Sequence, residues 1–334
     1  MTILVTGGAG YIGSHMVLAL LDAGERVIVL DNLSTGFQWA VPRPAHLIVG
    51  DVGDEGLVRL ILKRHGVDAI IHFAGSIVVP ESVAEPLKYY HNNTVKSRAL
   101  IAAAVEAGVS NFIFSSTAAV YGNCETVPVP EEAELRPVSP YGASKLMTEM
   151  MLADTARAHA LRYVALRYFN VAGADPAGRS GQSTPKATHL IKIACEAATA
   201  KRPYMEVFGT DYPTPDGTCV RDYIHVTDLA RAHTAALAYL RKGGACDVFN
   251  CGYSHGYSVL EVIEAVKRAS GKSFDVRLSP RRPGDPATLV AGSEKIRTRL
   301  AWIPELADLD CIAAHALAWE EGLSHRTAAP AARP

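Results

Sequence analysis

The sequence predicts an α/β fold: a doubly wound parallel sheet followed by a smaller C-terminal substrate-binding lobe. Three observations carry that prediction. Runs rich in Val and Ile alternate with ~10–15-residue helical patterns through the first half of the chain, as βαβ units do. The first run, Ile3–Thr6, opens directly into Gly7-Gly8-Ala9-Gly10-Tyr11-Ile12-Gly13. An acid, Asp31, closes the second run, Val27–Leu30.

In chain order, the strand Ile3–Thr6 leads to a helix near Tyr11–Ala23, then strands at Arg26–Asp31 and Ala45–Gly50. A helix near Glu55–His65 and a strand at Ala69–Ala74 follow. The pattern continues with a long helix near Asn92–Ala107, a strand at Asn111–Ser116, the helix Tyr141–His159 and the strand Tyr163–Tyr168. After about Ala174 the texture changes. Asp175–Lys186 and Gly209–Gly217 are rich in turn formers and read as loops. Helices are predicted near Thr188–Lys201, Val226–Arg241 and Val259–Ser270. The expected division is a dinucleotide-binding domain over 1–174, with segments near 222–252 packing back onto it. A second lobe spans 175–321, and a disordered tail 322–334.

At 334 residues and 49% apolar composition, the chain can bury a large core. Lys and Arg total 33 against 34 Asp and Glu, for a net charge of −1. That balance gives no electrostatic footprint for nucleic acid or a membrane surface. The apolar start is stopped by glycine within a few residues, so it reads as a buried strand and not a signal peptide. The six cysteines form no CxxC pair. They are expected to be reduced core thiols in a cytoplasmic protein, with no metal site.

The glycine spacing fits a Rossmann-type dinucleotide site. Gly7, Gly10 and Gly13 allow a tight turn, a close backbone approach to a pyrophosphate, and close packing of helix on strand. The backbone at Tyr11 and Ile12 then presents N–H groups at the positive end of the helix dipole. Asp31 can accept from a ribose diol and would repel a 2′-phosphate. Asn32, and not an arginine, follows it, so NAD is the expected cofactor over NADP. Asp51 and Val52 end the next strand, and Phe73-Ala74-Gly75 a later one, all at the sheet edge where ligands bind.

Tyr141 and Lys145 lie four residues apart and so share a helix face. An ammonium beside a phenol favours phenolate. Tyr141 could therefore act as a base near neutral pH although an unperturbed phenol has a pKa near ~10. Upstream, Ser115-Ser116-Thr117 ends an apolar strand and supplies a hydroxyl to bridge substrate and tyrosine.

These residues make the chain resemble the extended short-chain dehydrogenases/reductases, and within them the UDP-glucose (UDP-galactose) 4-epimerases. The resemblance runs from Thr2 to Trp319 through GGAGYIGSH, SSTAAVYG, SPYGASKL, LRYFNVAGA, VFGTDYPTPDGTCVRDYIHV and RRPGD. It implies an NAD-dependent isomerase, with Tyr141 as acid/base, Lys145 tuning it and Thr117 completing the relay. Asn92, Ser115 and Tyr168 would join the cofactor set. Phe169, Asn170, His189 and Leu190 would contact the UDP-sugar, Phe208 the uracil, Arg221 and Arg282 the diphosphate, and Asp285 the uridine ribose. A homodimer pairing the helices near Asn92–Ala107 and Tyr141–His159 is also implied.

Three positions depart from the family pattern. Ile77 stands where many members carry a lysine that contacts NAD. His189 occupies a place often held by asparagine, and Leu289 one where some members have a pocket-limiting tyrosine. Leucine leaves room for an N-acetylated sugar, so UDP-N-acetylglucosamine stands as an alternative substrate, and UDP-xylose as a further one. Dehydration is disfavoured because Ala118 and Ala119, beside Thr117, cannot transfer protons. A nucleotide-sugar dehydrogenase and a silent NAD-binding protein are the remaining rivals.

Overall fold

The computed structural model describes residues 1–185, 187–282 and 284–328, without the side chains of 324–328. The N-terminal half alternates as the sequence predicts: β1 (Thr2–Thr6), α1 (Tyr11–Asp22), β2 (Arg26–Asp31), β3 (His46–Val49), α2 (Glu55–His65) and β4 (Val67–His72). Two short helices, α3 (Val79–Ala84) and α4 (Pro86–Tyr89), precede a π-helical turn over Tyr90–Val95 and then α5 (Lys96–Glu106). After these come β5 (Asn111–Ser115), α6 (Pro140–Ala158) and β6 (Arg162–Tyr168).

The second half holds β7 (Asn170–Ala172), α7 (Leu190–Ala198), β8 (Tyr204–Phe208), β9 (Val220–Arg221), β10 (Tyr223–His225) and α8 (Val226–Arg241). It continues with β11 (Asp247–Cys251), β12 (Tyr257–Ser258), α9 (Val259–Ser270), β13 (Asp275–Ser279), β14 (Thr288–Leu289), α10 (Glu294–Leu300) and α11 (Leu309–Ala328).

Seven strands form one sheet in the order β11-β6-β5-β4-β1-β2-β3, every pairing parallel. Both faces are buried, which explains the near-continuous apolar runs. Along β1, Ile3 and Val5 join the core on one face while Leu4 joins the core on the other, following the two-residue period of a strand. The strand β11 comes from late in the chain, and α8 packs against α1. Smaller pairs β13–β8 and β9 with β12 and β14 lie outside that sheet.

The helix α11 continues past Gly322 to Ala328, correcting the expected disorder there. Tertiary contacts hold it: the Trp319 ring lies against Gly181 and Glu320 binds Lys201. The rest of the expected tail, 329–334, and Lys186 in the expected loop lie outside the described residues. Among the described residues no helix is long and apolar enough to cross a membrane.

Candidate active site

The turn after β1 is packed too tightly for side chains. A Cβ on Gly13 would lie 2.1 Å from the Gly7 carbonyl oxygen, and one on Gly7 would lie 2.6 Å from the Ala74 nitrogen. Gly7 also sits at φ +71°, a left-handed conformation suited to glycine. The N-cap of α1 is Gly10, whose position supplies no side-chain cap. The first N–H groups of the helix are therefore left for a ligand. A pocket of about 200 Å³ opens there, lined by Ala9, Gly10, Tyr11, Phe37 and Ser183 among others.

Asp31 is buried at the end of β2, and its carboxylate accepts from Ala9 N–H (2.9 Å) and Leu33 N–H (2.8 Å). It thus ties the glycine turn to the neighbouring strand. Asn32 reaches Asp51 at 3.4 Å. Burial acts to raise the Asp51 carboxyl, but the Lys96 ammonium and the Gly53 N–H outweigh it and hold it below its usual value. Of the other expected cofactor residues, Val52 puts its side chain in the core. Phe73 packs on His233 with ring centroids 4.8 Å apart, and Ala74 abuts Gly7. Ile12 packs partly buried against the core, and the Tyr11 hydroxyl donates to the Gly173 carbonyl (2.7 Å).

The π-helical turn brings two asparagines onto one loop. Asn92 donates to the Ser76 hydroxyl (2.9 Å). Asn93 accepts from Ser76 N–H (2.7 Å), and donates to the Ser76 carbonyl (3.0 Å) and to Ser144 on α6 (3.1 Å). A π turn is a frequent device at functional sites. Sequence reasoning missed Asn93, although the paired Asn92-Asn93 was visible. Gly75, next to this loop, would bring a Cβ within 3.7 Å of Lys145 Nζ.

Helix α6 begins with Ser139 capping Gly142 N–H (3.2 Å) and Pro140 in the first turn, both favourable start signals. Gly142 lets the helix approach the loop after β5: a Cβ there would lie 2.5 Å from the Ala119 carbonyl oxygen. Tyr141 is consequently buried, with the Thr117 hydroxyl near enough to lower its pKa. Lys145, one turn on, donates to the Ser115 carbonyl (2.9 Å) and sits 5.0 Å from the Phe114 ring centroid. The Ser115 hydroxyl pairs with that of Tyr168 (2.6 Å).

The electrostatics differ from the sequence argument. Burial raises the Tyr141 hydroxyl above an ordinary phenol, with the Thr117 bond opposing. Burial likewise pulls the Lys145 ammonium down to about 8, against the pull of Glu149. Lys145 therefore does not by itself make the phenolate that its spacing suggested, because desolvation outweighs it.

The expected substrate residues fall into two groups. Asn170, His189 and Leu190 line a cleft of about 480 Å³ with Tyr11, Gln182 and Glu320. His189 meets Gln182 at 3.3 Å, and burial lowers its pKa. Phe169 is buried with Leu289 packed against its cluster. In the second group, Arg221 pairs in register with Leu289, and its guanidinium lies 3.9 Å from Asp285. The Arg282 guanidinium stacks 3.7 Å over the Phe208 ring. Asp222, missed in sequence, fixes this group: it is fully buried and accepts from Tyr253, Ser254 and Ala291 N–H.

Residues 3–252 match the NAD dependent epimerase/dehydratase family. The chain belongs to that family. A UDP-glucose 4-epimerase of Azospirillum brasilense is 56% identical over 96% of this chain and 92% of its own length. The solved UDP-glucose 4-epimerase of Brucella ovis, in complex with NAD, superposes with a TM-score of 0.93 at 43% identity, covering 95% of this chain and 97% of that one. The UDP-Glc/GlcNAc 4-epimerase of Campylobacter jejuni gives 0.84 at 49% identity, covering 96% and 99%.

Proposed function

We infer that the chain is an NAD-dependent 4-epimerase that interconverts UDP-glucose and UDP-galactose. The observation that carries this is the buried Tyr141, beside the buried Thr117 and followed one turn later on the same helix by Lys145, which donates to the Ser115 carbonyl. A UDP-glucose 4-epimerase relative at 56% identity supports the substrate. The glycine turn, Asp31 and the pocket at α1 would hold the dinucleotide; their packing fits a ligand that approaches backbone closely.

Bound NAD supplies a hydride acceptor for the sugar C4 and a donor for its return. Tyr141 removes the proton of the 4-hydroxyl and later returns it, with Thr117 relaying the hydrogen bond. Arg221 and Arg282 neutralise the diphosphate, Phe208 lies by the uracil, and Asp285 holds the uridine ribose. Asn170, Phe169, His189 and Leu190 bound the sugar side. Between the two transfers the 4-keto sugar turns over, presenting its other face. Ala118 and Ala119 offer no proton for dehydration, which favours epimerisation over elimination.

In this reading the chain works as a cytoplasmic homodimer, with no nucleic-acid or membrane partner. Support for the dimer comes from Leu87, Val95, Met147 and Met150, which are exposed on α4, the π turn and α6. Six unbridged cysteines agree with a reducing compartment. The reading also divides the chain at about residue 174, with β11 and α8 returning to the first domain.

A second substrate class is favoured by Leu289, which packs against the cluster that holds Phe169 and stands where some family members carry a bulkier tyrosine. Turnover of UDP-N-acetylglucosamine would establish it. Incubating the protein with UDP-galactose, with and without NAD+, tests the main reading. UDP-glucose should form without net NADH. Steady NADH accumulation would replace epimerase with dehydrogenase, and dependence on added NAD+ would report the loss of a lysine contact at Ile77.

A further inference from the structure

Behind the tyrosine–lysine pair lies a charge cluster that the proposed chemistry does not use. Glu149 follows Lys145 by one turn on α6, and its carboxylate is buried. Ser116 donates to its Oε1 at 2.5 Å. Arg167 of β6, also buried, forks onto both oxygens, with Nη2 at 2.6 Å from Oε2 and Nε at 3.0 Å from Oε1. Arg167 donates further to the Tyr121 hydroxyl (2.9 Å), which donates to Asn250 (2.7 Å).

The contacts form a register. Ser115 meets Lys145, Ser116 meets Glu149, and Thr117 meets Tyr141. Three successive residues at the end of β5 therefore lie against three residues spaced four apart on α6, the first two joined to it by hydrogen bonds. The outer two contacts belong to the catalytic reading. The middle one pins Ser116 to an ionised group whose partner, Arg167, is fixed by a strand and by Tyr121. A fork of this kind has one geometry, so it transmits the position of β6 to the strand end that carries Thr117.

We propose that Glu149 is a positioning residue: it locks the Ser115–Thr117 strand end onto the catalytic helix and holds a buried negative charge one helical turn from Lys145. The second role follows from what surrounds Lys145. On its own helix it faces Tyr141 and Glu149, on β4 His72, and on β5 the Phe114 ring and Ser115 carbonyl. His72 is held neutral by burial, its pKa lowered to about 3, and Tyr141 is neutral while its proton is on. Glu149 thus supplies the anion that opposes desolvation of Lys145. The proposal rests on the catalytic reading of Lys145, and its test separates the two.

Because Glu149→Gln alone would strand the Arg167 charge in the interior, the informative variant is Glu149→Gln with Arg167→Gln. In protein carrying 13C-labelled lysine, the Lys145 ε-carbon signal is assigned by its loss in Lys145→Met and titrated. The midpoint is expected to fall by about one pH unit in the double variant. Ser116→Ala, which keeps both charges, should leave the midpoint at the wild-type value and lower kcat uniformly across pH. An unmoved midpoint in the double variant, or a moved one in Ser116→Ala, overturns the proposal. If the double variant does not fold, Glu149→Asp replaces it: the shorter chain draws the carboxylate away from Lys145 and off the Arg167 fork, so a smaller fall is expected and an unmoved midpoint refutes. Where the midpoint moves but the alkaline limb of kcat does not follow, it is the catalytic assignment of Lys145 that fails.

Discussion

Lowering the pH should unfold this protein far earlier than its carboxylates alone would dictate. His15, His72, His225 and His233 are buried, and burial holds their pKa values at about 4, 3, 3 and 4. Each stays neutral in the folded chain while the unfolded chain takes up a proton near pH ~6.5. The stability they contribute is present above that value and is lost as pH falls toward the folded values. At pH 5.0 each costs about 2 kcal/mol, from about 1.4 kcal/mol per unit over about 1.5 units. Asp222 acts in the opposite sense. Burial raises its carboxyl to about 6, so protonation in the folded state recovers about 1 kcal/mol over the same interval. The net loss between pH 7.5 and 5.0 is about 7 kcal/mol, half or more of a typical folding free energy. For 334 residues, at about 2.1 cal/mol/K per residue, that corresponds to a Tm lower by about 10 °C. Calorimetry across this range checks it, and the linkage slope should report uptake of about three protons on unfolding. A decrease below about 3 °C, or uptake of fewer than one proton, would refute the argument from buried neutral histidines.

Further outcomes concern the site itself. Tyr141→Phe should bind UDP-sugar nearly as the wild type does but turn over about a thousandfold slower, measured by titration and product formation. Asp31→Asn retains the shape that receives Ala9 N–H but loses the charge; NAD affinity should fall about tenfold by calorimetric titration. Gly13→Ala drives a methyl into the Gly7 carbonyl and should abolish cofactor retention, with Tm lowered by an amount matching about 3 kcal/mol.

The part of this architecture written in short-range pattern was legible in the sequence. The glycine turn, Asp31 and the Tyr141–Lys145 spacing are local, and each landed on the predicted strand edge or helix face. What was not legible depends on partners distant in the chain. A return of the segment near 222–252 to the first domain was expected, but nothing local in β11 shows that its partner is β6, about eighty residues earlier in the chain. Glu149 looks like a surface acid on a helix whose apolar residues show little periodicity, and only Arg167 and Ser116 reveal it as buried. The end of α11 was misjudged because Gly322 is a poor helix former, whereas Trp319 and Glu320, just before it, anchor the helix to Gly181 and Lys201.

Burial at this site works against the protonation states that the chemistry needs. Keeping water from a 4-keto sugar requires an enclosed tyrosine, yet enclosure raises Tyr141 and lowers Lys145. Both shifts lead away from a phenolate beside an ammonium. Glu149 can correct the lysine, but an anion nearby cannot favour a phenolate. In the proposed mechanism the positive charge that would make Tyr141 a base would come chiefly from the oxidised nicotinamide ring, with Thr117 opposing the effect of burial. Tyr141 would then be a base only while the bound dinucleotide is oxidised, and would hold its proton until the hydride has returned. Tyrosinate absorbance in wild type against Tyr141→Phe tests this. The Tyr141 contribution near neutral pH should grow on adding NAD+ and stay absent with NADH. Equal signals in both states would mean that the protein's own charges suffice, and would remove the coupling between proton and hydride transfer argued here.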